Sequence, residues 1–306
     1  MIFAAFIVLH YKNYKDTEAC VKSLDRLHGI EKCAVIIYDN GSNDGSADIL
    51  KEHFKNRTNV RVVKSDIPDG FSTGNNKAYE IARKLSPKFI IALNNDIIIK
   101  QRSFLYKLSQ IGKRDQYHVI GPDIYAPMVR EHQSPLYEKS PDMEMVDRLI
   151  EETKKHKEDL QFSAAWEQNR IKKNKIKRFI PAFVIEIIRL FTGNRKSELW
   201  KNEVENPVFS GACIIVSDLF IKENSKLFDP ETKFYCEELI LAKRCETNNY
   251  STLYTPQIKV RHMHGKSTLN AYKDIKDYLD FRYTNMLESY EFYKSLIEGN
   301  ESKNGK

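Results

Sequence analysis

A carboxylate follows directly after a strongly apolar stretch of this chain, at a position where it could take part in chemistry. Residues 89–93 are all apolar, and Asn94-Asn95-Asp96 comes next. An apolar run without polar alternation predicts a strand that is buried on both faces of a parallel sheet. Ligands of open α/β sheets bind beyond the carboxyl ends of the strands, which is where Asp96 would lie. A lone Asp after a strand can also be a simple turn residue, so its neighbours decide the matter.

Four further polar clusters follow apolar runs or open a predicted helix. Singly, each has an ordinary explanation: Asp-Asn-Gly-Ser is a common turn, and paired acids at a helix start complement the helix dipole. Their order along the chain is what makes them informative. The four clusters are residues 39–42, 69–76, 237–238 and 262–267.

Strands and helices alternate over the first hundred residues and would position these clusters. This alternation predicts βαβ units with right-handed crossovers and a parallel sheet. The stretch has neither a Gly-x-Gly-x-x-Gly motif nor a P-loop, which argues against a dinucleotide oxidoreductase and an ATPase. The predicted strands cover 3–9, 34–38, 60–63 and 89–93, and the predicted helices cover 17–27, 47–54 (with Ser46 as N-cap) and 75–85.

The second half of the chain begins with a long Lys-rich stretch. We expect an α/β domain over 1–270 that is interrupted by a basic helical insertion at about 136–205. A C-terminal helix over 271–298 and a disordered tail over 299–306 would follow. Within this half the sequence predicts a strand over 209–216, a short helix through Phe220, a strand end running into a helix over 234–247, and a late strand over 260–263.

The composition excludes several classes of protein. The five cysteines are odd in number and scattered, which indicates a reducing, cytoplasmic setting without disulfides or a zinc site. No apolar run approaches the roughly 20 residues that a membrane-spanning helix needs. The net charge of +7 is concentrated locally, as in residues 171–178, and no nucleic-acid-binding motif is present, so we expect no nucleic-acid partner.

Six segments, in a fixed order, cover most of the chain outside the insertion. They are Val8-Leu9-His10-Tyr11, Asp39-Asn40-Gly41-Ser42, Gly70-Phe71-Ser72-Thr73-Gly74-Asn75-Asn76, Asn94-Asn95-Asp96, Phe228-Asp229 with Phe234-Tyr235-Cys236-Glu237-Glu238, and His262 with Gly265 and Ser267. This ordered set resembles the family 2 glycosyltransferases with the GT-A fold, particularly the bacterial branch that makes capsule and O-antigen polysaccharides. The resemblance implies a Rossmann-like, mostly parallel sheet flanked by helices, with a helical insertion and a C-terminal helix.

The resemblance implies an inverting, metal-dependent transfer of a hexosyl or deoxyhexosyl group. The donor would be a nucleotide-diphosphate sugar, and the acceptor would be a hydroxyl of a glycan or lipid-linked glycan in surface polysaccharide synthesis. Two departures from the family pattern stand out: Asn94 replaces the first acid of the Asp-x-Asp motif, and Glu238 stands where the family has Asp. The second departure leaves Glu237 as an alternative to Glu238 for the general base.

The resemblance also assigns roles to individual residues. Mg²⁺ or Mn²⁺ would be bound by Asp96, with His262 or His264 completing the ligands. Glu238, or else Glu237, would take the proton of the acceptor hydroxyl. The residues expected to contact the donor nucleotide are His10, Tyr11, Asp39, Asp69, Gly74, Asn75 and Asn95.

Two further segments have two interpretations each. His132 and Gln133 would lie on the acceptor side, or they belong to an ordinary polar loop. Residues 172–191 combine a basic run with an apolar stretch, which favours peripheral contact with the inner face of the plasma membrane. Alternatively, this segment packs on the catalytic domain or on the second subunit of a homodimer.

Two other functions compete with glycosyl transfer. A nucleotidyltransferase that makes sugar nucleotides shares the strand-first α/β architecture, but it would need a Gly-rich loop with Arg and Lys after the first strand. Residues 10–14 have no glycine. A non-catalytic binding module is the other alternative, and the departures at Asn94 and Glu238 favour it.

Overall fold

The apolar runs of the sequence form one mixed sheet. The computed structural model describes residues 2–177, 198–229, 231–263 and 274–304, and this part of the chain contributes ten strands to the sheet. The strands are β1 Ala4–His10, β2 Cys33–Asp39, β3 Val60–Lys64, β4 Phe89–Asn94, β5 Ile97–Ile98, β6 Val119–Ala126, β7 Glu131–His132, β8 Val204–Glu205, β9 Cys213–Ser217 and β10 Thr252–His262.

The strand order is β3-β2-β1-β4-β9-β6-β10-β5, with β7 beside β6 and β8 beside β10. The first four strands in this order run parallel, and β10 runs parallel to β6. β9 lies between β4 and β6 and is antiparallel to both. The predicted α/β class with a mostly parallel, Rossmann-like sheet is therefore confirmed.

Helices cover both faces of the sheet, as the continuous apolar runs of its central strands require. They are α1 Tyr14–Leu24, α2 Ser46–Phe54, α3 Phe71–Arg83, α4 Phe104–Gly112, α5 Met143–Glu158, α6 Leu160–Lys177, α7 Asp218–Glu223, α8 Glu237–Thr247 and α9 Ile275–Asn304, with 3₁₀ turns at Ile30–Lys32 and Leu199–Lys201. On one face, Val8 packs with Leu24 of α1. On the other, Ile7 packs with Tyr79 of α3 and Leu241 of α8.

The Lys-rich stretch forms α5 and α6, and α9 packs against both. Val146 of α5 and Tyr293 of α9 belong to one buried apolar cluster that also includes Leu239 of α8. The apolar stretch 179–191, which the membrane interpretation uses, lies outside the described residues. Among the helices that are described, none combines the length and the apolar character that a membrane span needs.

Several element boundaries differ from the sequence predictions. α3 begins at Phe71 instead of 75, directly after Gly70 turns the chain at φ 83°. α2 begins at Ser46, so the predicted N-cap role falls to Gly45, whose φ is 81°. The Ser46 hydroxyl instead forms a hydrogen bond with Asp44 and approaches His10 Nε2. The strand predicted over 209–216 occupies Cys213–Ser217.

The late part of the chain differs more strongly. β10 starts eight residues before the predicted strand, because Pro256 interrupts the strand pattern in the sequence. The strand end expected at 234 is absent, since Tyr235 and Cys236 both adopt positive φ before α8 begins. α9 continues through Asn304, whereas the sequence predicted a disordered tail from 299.

Candidate active site

The carboxyl ends of several strands bring distant polar clusters to one edge of the sheet. β1 and β2 end side by side at His10 and Asp39, and β4 runs beside β1 up to Asn94. The end of β10 joins them, since the backbone N–H of Met263 donates to the carbonyl oxygen of Asp96 at 2.9 Å. Clusters that lie more than 200 residues apart in the sequence thus share this edge.

Asp39 ends β2 with a fully buried carboxylate. Its Oδ1 accepts a hydrogen bond from the backbone N–H of Ser42 at 3.2 Å and a second, short one from the Ser42 hydroxyl. Its Oδ2 is buried and has no hydrogen-bond partner among the described residues. A buried acceptor without a partner costs about 1–3 kcal/mol. This oxygen is therefore suited to accept a hydrogen bond from a ligand.

His10 lies behind Asp39 and is fully buried. Its Nδ1 is 2.7 Å from the Thr17 hydroxyl, and its Nε2 is 2.8 Å from the Ser46 hydroxyl. Burial lowers the pKa of His10, although the nearby Asp39 raises it in part. Both ring nitrogens are thus occupied within the protein. His10 therefore joins β1 to α1 and α2, and its direct contact with the nucleotide stays a prediction.

Neighbours of His10 extend this buried network toward the ligand edge. The side-chain amide of Asn95 donates to the same Thr17 hydroxyl at 3.2 Å, so Asn95 is oriented by the protein. Tyr11, next to His10, keeps part of its side chain exposed. Of the residues expected at the tip of β1, Tyr11 is therefore the one with surface available to a ligand.

The segment 69–76 is locked onto the tip of β2. The side chain of Asn40 bridges it, accepting from the backbone N–H of Asp69 at 2.9 Å and donating to the carbonyl of Gly70 at 3.0 Å. A Cβ at Gly74 would lie 2.8 Å from a methyl carbon of Leu9 and 3.1 Å from Asn40 Oδ1. Glycine at position 74 therefore lets α3 approach β1 without displacing the side chains of Leu9 and Asn40.

The side chains of this segment are held by protein partners. Tyr38 and Lys77 donate to the carboxylate of Asp69 at 2.9 and 2.7 Å. Burial acts to raise the pKa of Asp69, but the hydrogen bonds, led by the one from Lys77, lower it below its usual value. The Asn75 side chain is buried and donates to the carbonyl of Phe71 at 3.0 Å. Asp69 and Asn75 thus shape the edge where donor contact is predicted.

Asp96 forms a chain of polar contacts with two late residues. His262 Nε2 lies 3.1 Å from Asp96 Oδ2, and His262 Nδ1 lies 2.7 Å from Gln133 Oε1. Asp96 is 7% exposed, so its carboxylate is close to the surface but largely shielded. Gln133, which was expected on the acceptor side, therefore lies against the predicted metal ligands.

These residues fit a sparsely ligated metal ion. Within the described part of the chain no group of three or more His, Cys, Asp or Glu side chains could hold a metal alone. Asp96 and His262 supply one carboxylate oxygen and one imidazole nitrogen at the same point. Mg²⁺ and Mn²⁺ accept such sites when phosphate oxygens and water complete their ligands. His264, the third predicted ligand, lies outside the described residues.

The pair Glu237-Glu238 opens α8 after two residues with positive φ, Tyr235 and Cys236. Glu237 is 4% exposed, and its Oε1 is buried without a hydrogen-bond partner among the described residues. Burial, followed by the charge of Glu238, raises the pKa of Glu237 well above its usual value. Burial also raises the pKa of Glu238, whose side chain keeps some exposed surface. Of the two, Glu238 is the carboxylate that a ligand can reach.

Residues 211–212 form a short loop between Glu238 and the end of β4. An oxygen of Glu238 lies 3.5 Å from the position that a Cβ at Gly211 would take. The next residue, Ala212, accepts a hydrogen bond from the backbone N–H of Asn94 at 3.0 Å. Glu238 therefore lies across residues 211–212 from the segment that carries Asp96.

His132 lies on β7, which pairs with β6, and is fixed by two neighbours. Its Nδ1 is 2.6 Å from the buried carboxylate of Asp123. Its ring stacks on Trp200 with a centroid distance of 3.6 Å and an interplanar angle of 4°. His132 is thus a rigid, partly exposed side chain beside Gln133.

Three residues that contact predicted site residues were not predicted from the sequence: Thr17, Gly211 and Trp200. Thr17 looks like an ordinary helix residue, and only its contacts with His10 and Asn95 show its role. Gly211 follows a serine in an apolar stretch, which could have indicated a turn. Trp200 stands in a Lys-rich stretch where nothing in the sequence links it to His132.

Known proteins share this architecture. The family model described as glycosyl transferase family 2 matches residues 5–180. No curated protein sequence is significantly similar to the chain. Three solved structures show the same fold at low sequence identity, and they are compared below.

A structure of GalNAc-T7 with UDP, GalNAc and Mn²⁺ has a TM-score of 0.56 at 14% identity over 86% of this chain and 43% of that one. S. aureus TarS has a TM-score of 0.51 at 14% identity over 86% of this chain and 37% of that one. The mannosyltransferase PcManGT from Pyrobaculum calidifontis, in complex with GDP-Man and Mn²⁺, has a TM-score of 0.53 at 10% identity over 97% of this chain and 73% of that one.

The chain spans less than half the length of GalNAc-T7 and of TarS. The family model, by contrast, covers more than half of this chain and includes the ends of β1, β2 and β4. This chain therefore belongs to glycosyl transferase family 2.

Proposed function

We propose that this glycosyltransferase moves a sugar from a nucleotide-diphosphate donor to a hydroxyl of a glycan, with a divalent metal ion and with inversion. One observation carries the proposal: Asp39, Asp96 and Glu238 gather at the same edge through β2, β4 and the 211–212 loop. Each of the three supplies a different part of the chemistry.

Asp39 and Asp96 would bind the two ends of the donor nucleotide. The unpartnered Oδ2 of Asp39 would accept an N–H or O–H of the base or ribose. Asp96 and His262 would hold Mg²⁺ or Mn²⁺, which neutralises charge on the diphosphate. GalNAc-T7 with UDP and PcManGT with GDP-Man were both solved with Mn²⁺, which supports a divalent metal here.

Glu238 would act as the general base. The acceptor oxygen bonds to the anomeric carbon as the bond from that carbon to the diphosphate oxygen breaks, and Glu238 takes the hydroxyl proton. Its raised pKa makes the carboxylate a stronger proton acceptor than an ordinary Glu. A single displacement of this kind inverts the anomeric configuration. Glu237, buried and with a strongly raised pKa, would stay protonated beside it.

The acceptor would lie next to His132 and Gln133. Gln133 contacts His262, so an acceptor bound here would be close to the donor phosphates. Replacing His132 and Gln133 by Ala should raise the acceptor KM more than the donor KM. An unchanged acceptor KM would remove this assignment.

The acceptor would be lipid-linked, as in surface polysaccharide synthesis, and the protein would contact the membrane peripherally through residues 172–191. Phe162 and Trp166 on α6 support this, since they are 60% and 49% exposed and lie one turn apart. Aromatic and basic side chains on one helix favour an anionic interface. Contact with the second subunit of a homodimer is the alternative use of this surface.

Sedimentation with anionic vesicles separates these two uses of α6. Salt-sensitive pelleting that is lost in Phe162→Ser/Trp166→Ser would support membrane contact. A wild-type protein that stays in the supernatant at low salt would exclude it. A dimer that the same double substitution dissociates would favour a subunit interface.

A further inference from the structure

A groove of about 470 Å³ opens on the sheet between the ends of β6 and β10. It lies next to the site described above but outside the donor-binding edge. Side chains of both strands, of β7 and of the turn after β5 line it. The residues that matter here are Lys100, Asp123, Tyr125, His132, Lys259 and Arg261.

The strand register places these side chains on one face of the sheet. Lys259 pairs with Asp123, and Arg261 pairs with Tyr125. The intervening residues, Ile124 and Val260, are buried in the core on the opposite face. Because successive side chains of a strand alternate between faces, both pairs point into the groove.

The groove carries an excess of positive charge. Lys100, Lys259 and Arg261 are exposed, and none of them forms an ion pair with a described residue. The one acid in the lining, Asp123, is 3% exposed and is engaged by His132. Lysines elsewhere, such as Lys84 and Lys222, pair instead with an acid on their own helix.

Two aromatic side chains, Tyr125 and His132, line the groove, and Trp200 stacks on one of them. His132 stacks on Trp200, and Tyr125 lies 5.1 Å from His132 between ring centroids. Asp123 fixes Nδ1 of His132, and Nε2 has no hydrogen-bond partner among the described residues. An aromatic wall with a free polar nitrogen suits a sugar ring, which has an apolar face and hydroxyls at its edge.

We propose that this groove binds the acceptor, and that the acceptor is an acidic glycan. A carboxylate or phosphate group of the glycan binds Lys100, Lys259 and Arg261, while a neighbouring sugar packs on Tyr125 and His132. The groove is close to the candidate active site, because Gln133 follows His132 in the chain and contacts His262. This assignment rests on the proposed function, because it names the substrate class of the same enzyme.

Direct binding of defined oligosaccharides tests the proposal without knowledge of the natural acceptor. The probes are fluorescently labelled oligogalacturonate for carboxylates, glycerol-phosphate oligomer for phosphates, and maltohexaose as a neutral glycan. We expect the wild-type protein to bind at least one acidic probe more tightly than maltohexaose, and to lose that preference at high ionic strength.

Two double variants carry the decisive comparison. Lys259→Gln/Arg261→Gln should weaken binding of the acidic probe about tenfold. The matched control, Lys84→Gln/Lys222→Gln, removes the same charge from helices away from the groove and should leave binding unchanged. Both variants should keep the thermal stabilisation that a nucleotide sugar gives with Mn²⁺, since neither changes the donor edge.

Different outcomes would contradict the groove assignment and the proposed function. Acidic probes that bind no better than maltohexaose, or that are weakened equally by both double variants, would overturn the groove assignment. If the carboxylate probe binds and the phosphate probe does not, or the reverse, the acceptor's acid is identified. A protein that no nucleotide sugar stabilises would contradict the proposed function, and probe binding to the groove would still be measurable.

Discussion

Asp39 is a predicted site residue whose carboxylate is only partly satisfied by hydrogen bonds from the described protein. The protein satisfies one carboxylate oxygen through Ser42 and buries the other without a partner among the described residues. Because a buried acceptor without a partner is unfavourable, a ligand that donates a hydrogen bond to Asp39 would be stabilised at this edge of the sheet. Glu237 also buries a carboxyl oxygen without a partner among the described residues, and burial raises the pKa of this group, which favours its neutral form.

Asp39→Asn should weaken donor binding about 10- to 100-fold, because a hydrogen bond to a charged acceptor is worth about 1.5–3 kcal/mol. Titration calorimetry with the nucleotide diphosphate and Mn²⁺ measures this directly. Asp48→Asn is the matched control, since Asp48 is an exposed acid on α2. Equal affinities of wild type and Asp39→Asn would remove Asp39 from the donor site.

Glu237→Gln should make stability less dependent on pH. The folded-state pKa of Glu237 lies above the ordinary value of 4.5. The folded protein therefore keeps a proton that the unfolded chain loses, and the free energy of unfolding falls as the pH rises above 4.5. A neutral Gln removes this loss, so the variant should gain Tm relative to wild type near pH 8 and lose that gain near pH 4.5.

Glu237 and Glu238 are expected to differ in their effect on turnover. Turnover by Glu238→Gln should fall about 10²- to 10⁴-fold while donor binding survives, because only the proton acceptor is lost. Glu237→Gln should remain active, since its protonated form resembles an amide. In the wild type, activity should fall as the pH drops through the raised pKa of Glu238. An inactive Glu237→Gln beside an active Glu238→Gln would move the base to Glu237.

At the scale of secondary-structure elements, close contacts between backbone segments position the candidate site. The turn before α3 depends on Gly70, which has φ 83° and whose added Cβ would lie 2.7 Å from the carbonyl oxygen of Lys233. The backbone N–H of Phe71 donates to that same oxygen at 2.8 Å. This contact ties the 69–76 segment to the chain just before α8 and its two acids.

Gly70→Ala should destabilise the protein by more than Gly45→Ala, which is its matched control. Both glycines have positive φ, but ψ is −5° at Gly45 and −177° at Gly70, and the second combination is almost confined to glycine. Nothing lies within 4 Å of an added Cβ at Gly45, whereas at Gly70 the backbone of Lys233 must move. Urea denaturation midpoints measure the difference. Equal losses would show that the contact between Gly70 and Lys233 is unimportant.

Local sequence signals predicted these elements only in part. The apolar runs of β1, β2 and β4 predicted a parallel sheet, and the polar residues after them marked the ligand edge. The start of α3 was missed because Gly70-Phe71-Ser72-Thr73-Gly74 has the composition of a loop. β10 was predicted too short because Pro256 interrupts the part of the strand before residue 260. Long-range contacts, such as His132 on Trp200, leave no mark in either local sequence.

At the scale of the whole molecule, the candidate site lies along one edge of a sheet that helices cover on both faces. Its parallel half supplies Asp39 and Asp96, and its mixed half supplies His262 and the groove that ends at Lys259 and Arg261. α5, α6 and α9 pack together next to α8, so they support the helix that carries Glu238. Under the proposed assignments, donor chemistry and acceptor selection would fall to different parts of one sheet.

The most direct test measures release of nucleotide diphosphate from a panel of UDP-, dTDP- and GDP-sugars with Mn²⁺ and a mixture of acidic and neutral glycans. We expect release from at least one donor, and loss of that release with EDTA, in Asp96→Ala and in Glu238→Gln. A sugar nucleotide synthesised from sugar phosphate and nucleoside triphosphate would instead indicate a nucleotidyltransferase. Full release in Asp96→Ala and Glu238→Gln, or no release from any donor, would contradict metal-dependent glycosyl transfer at this edge.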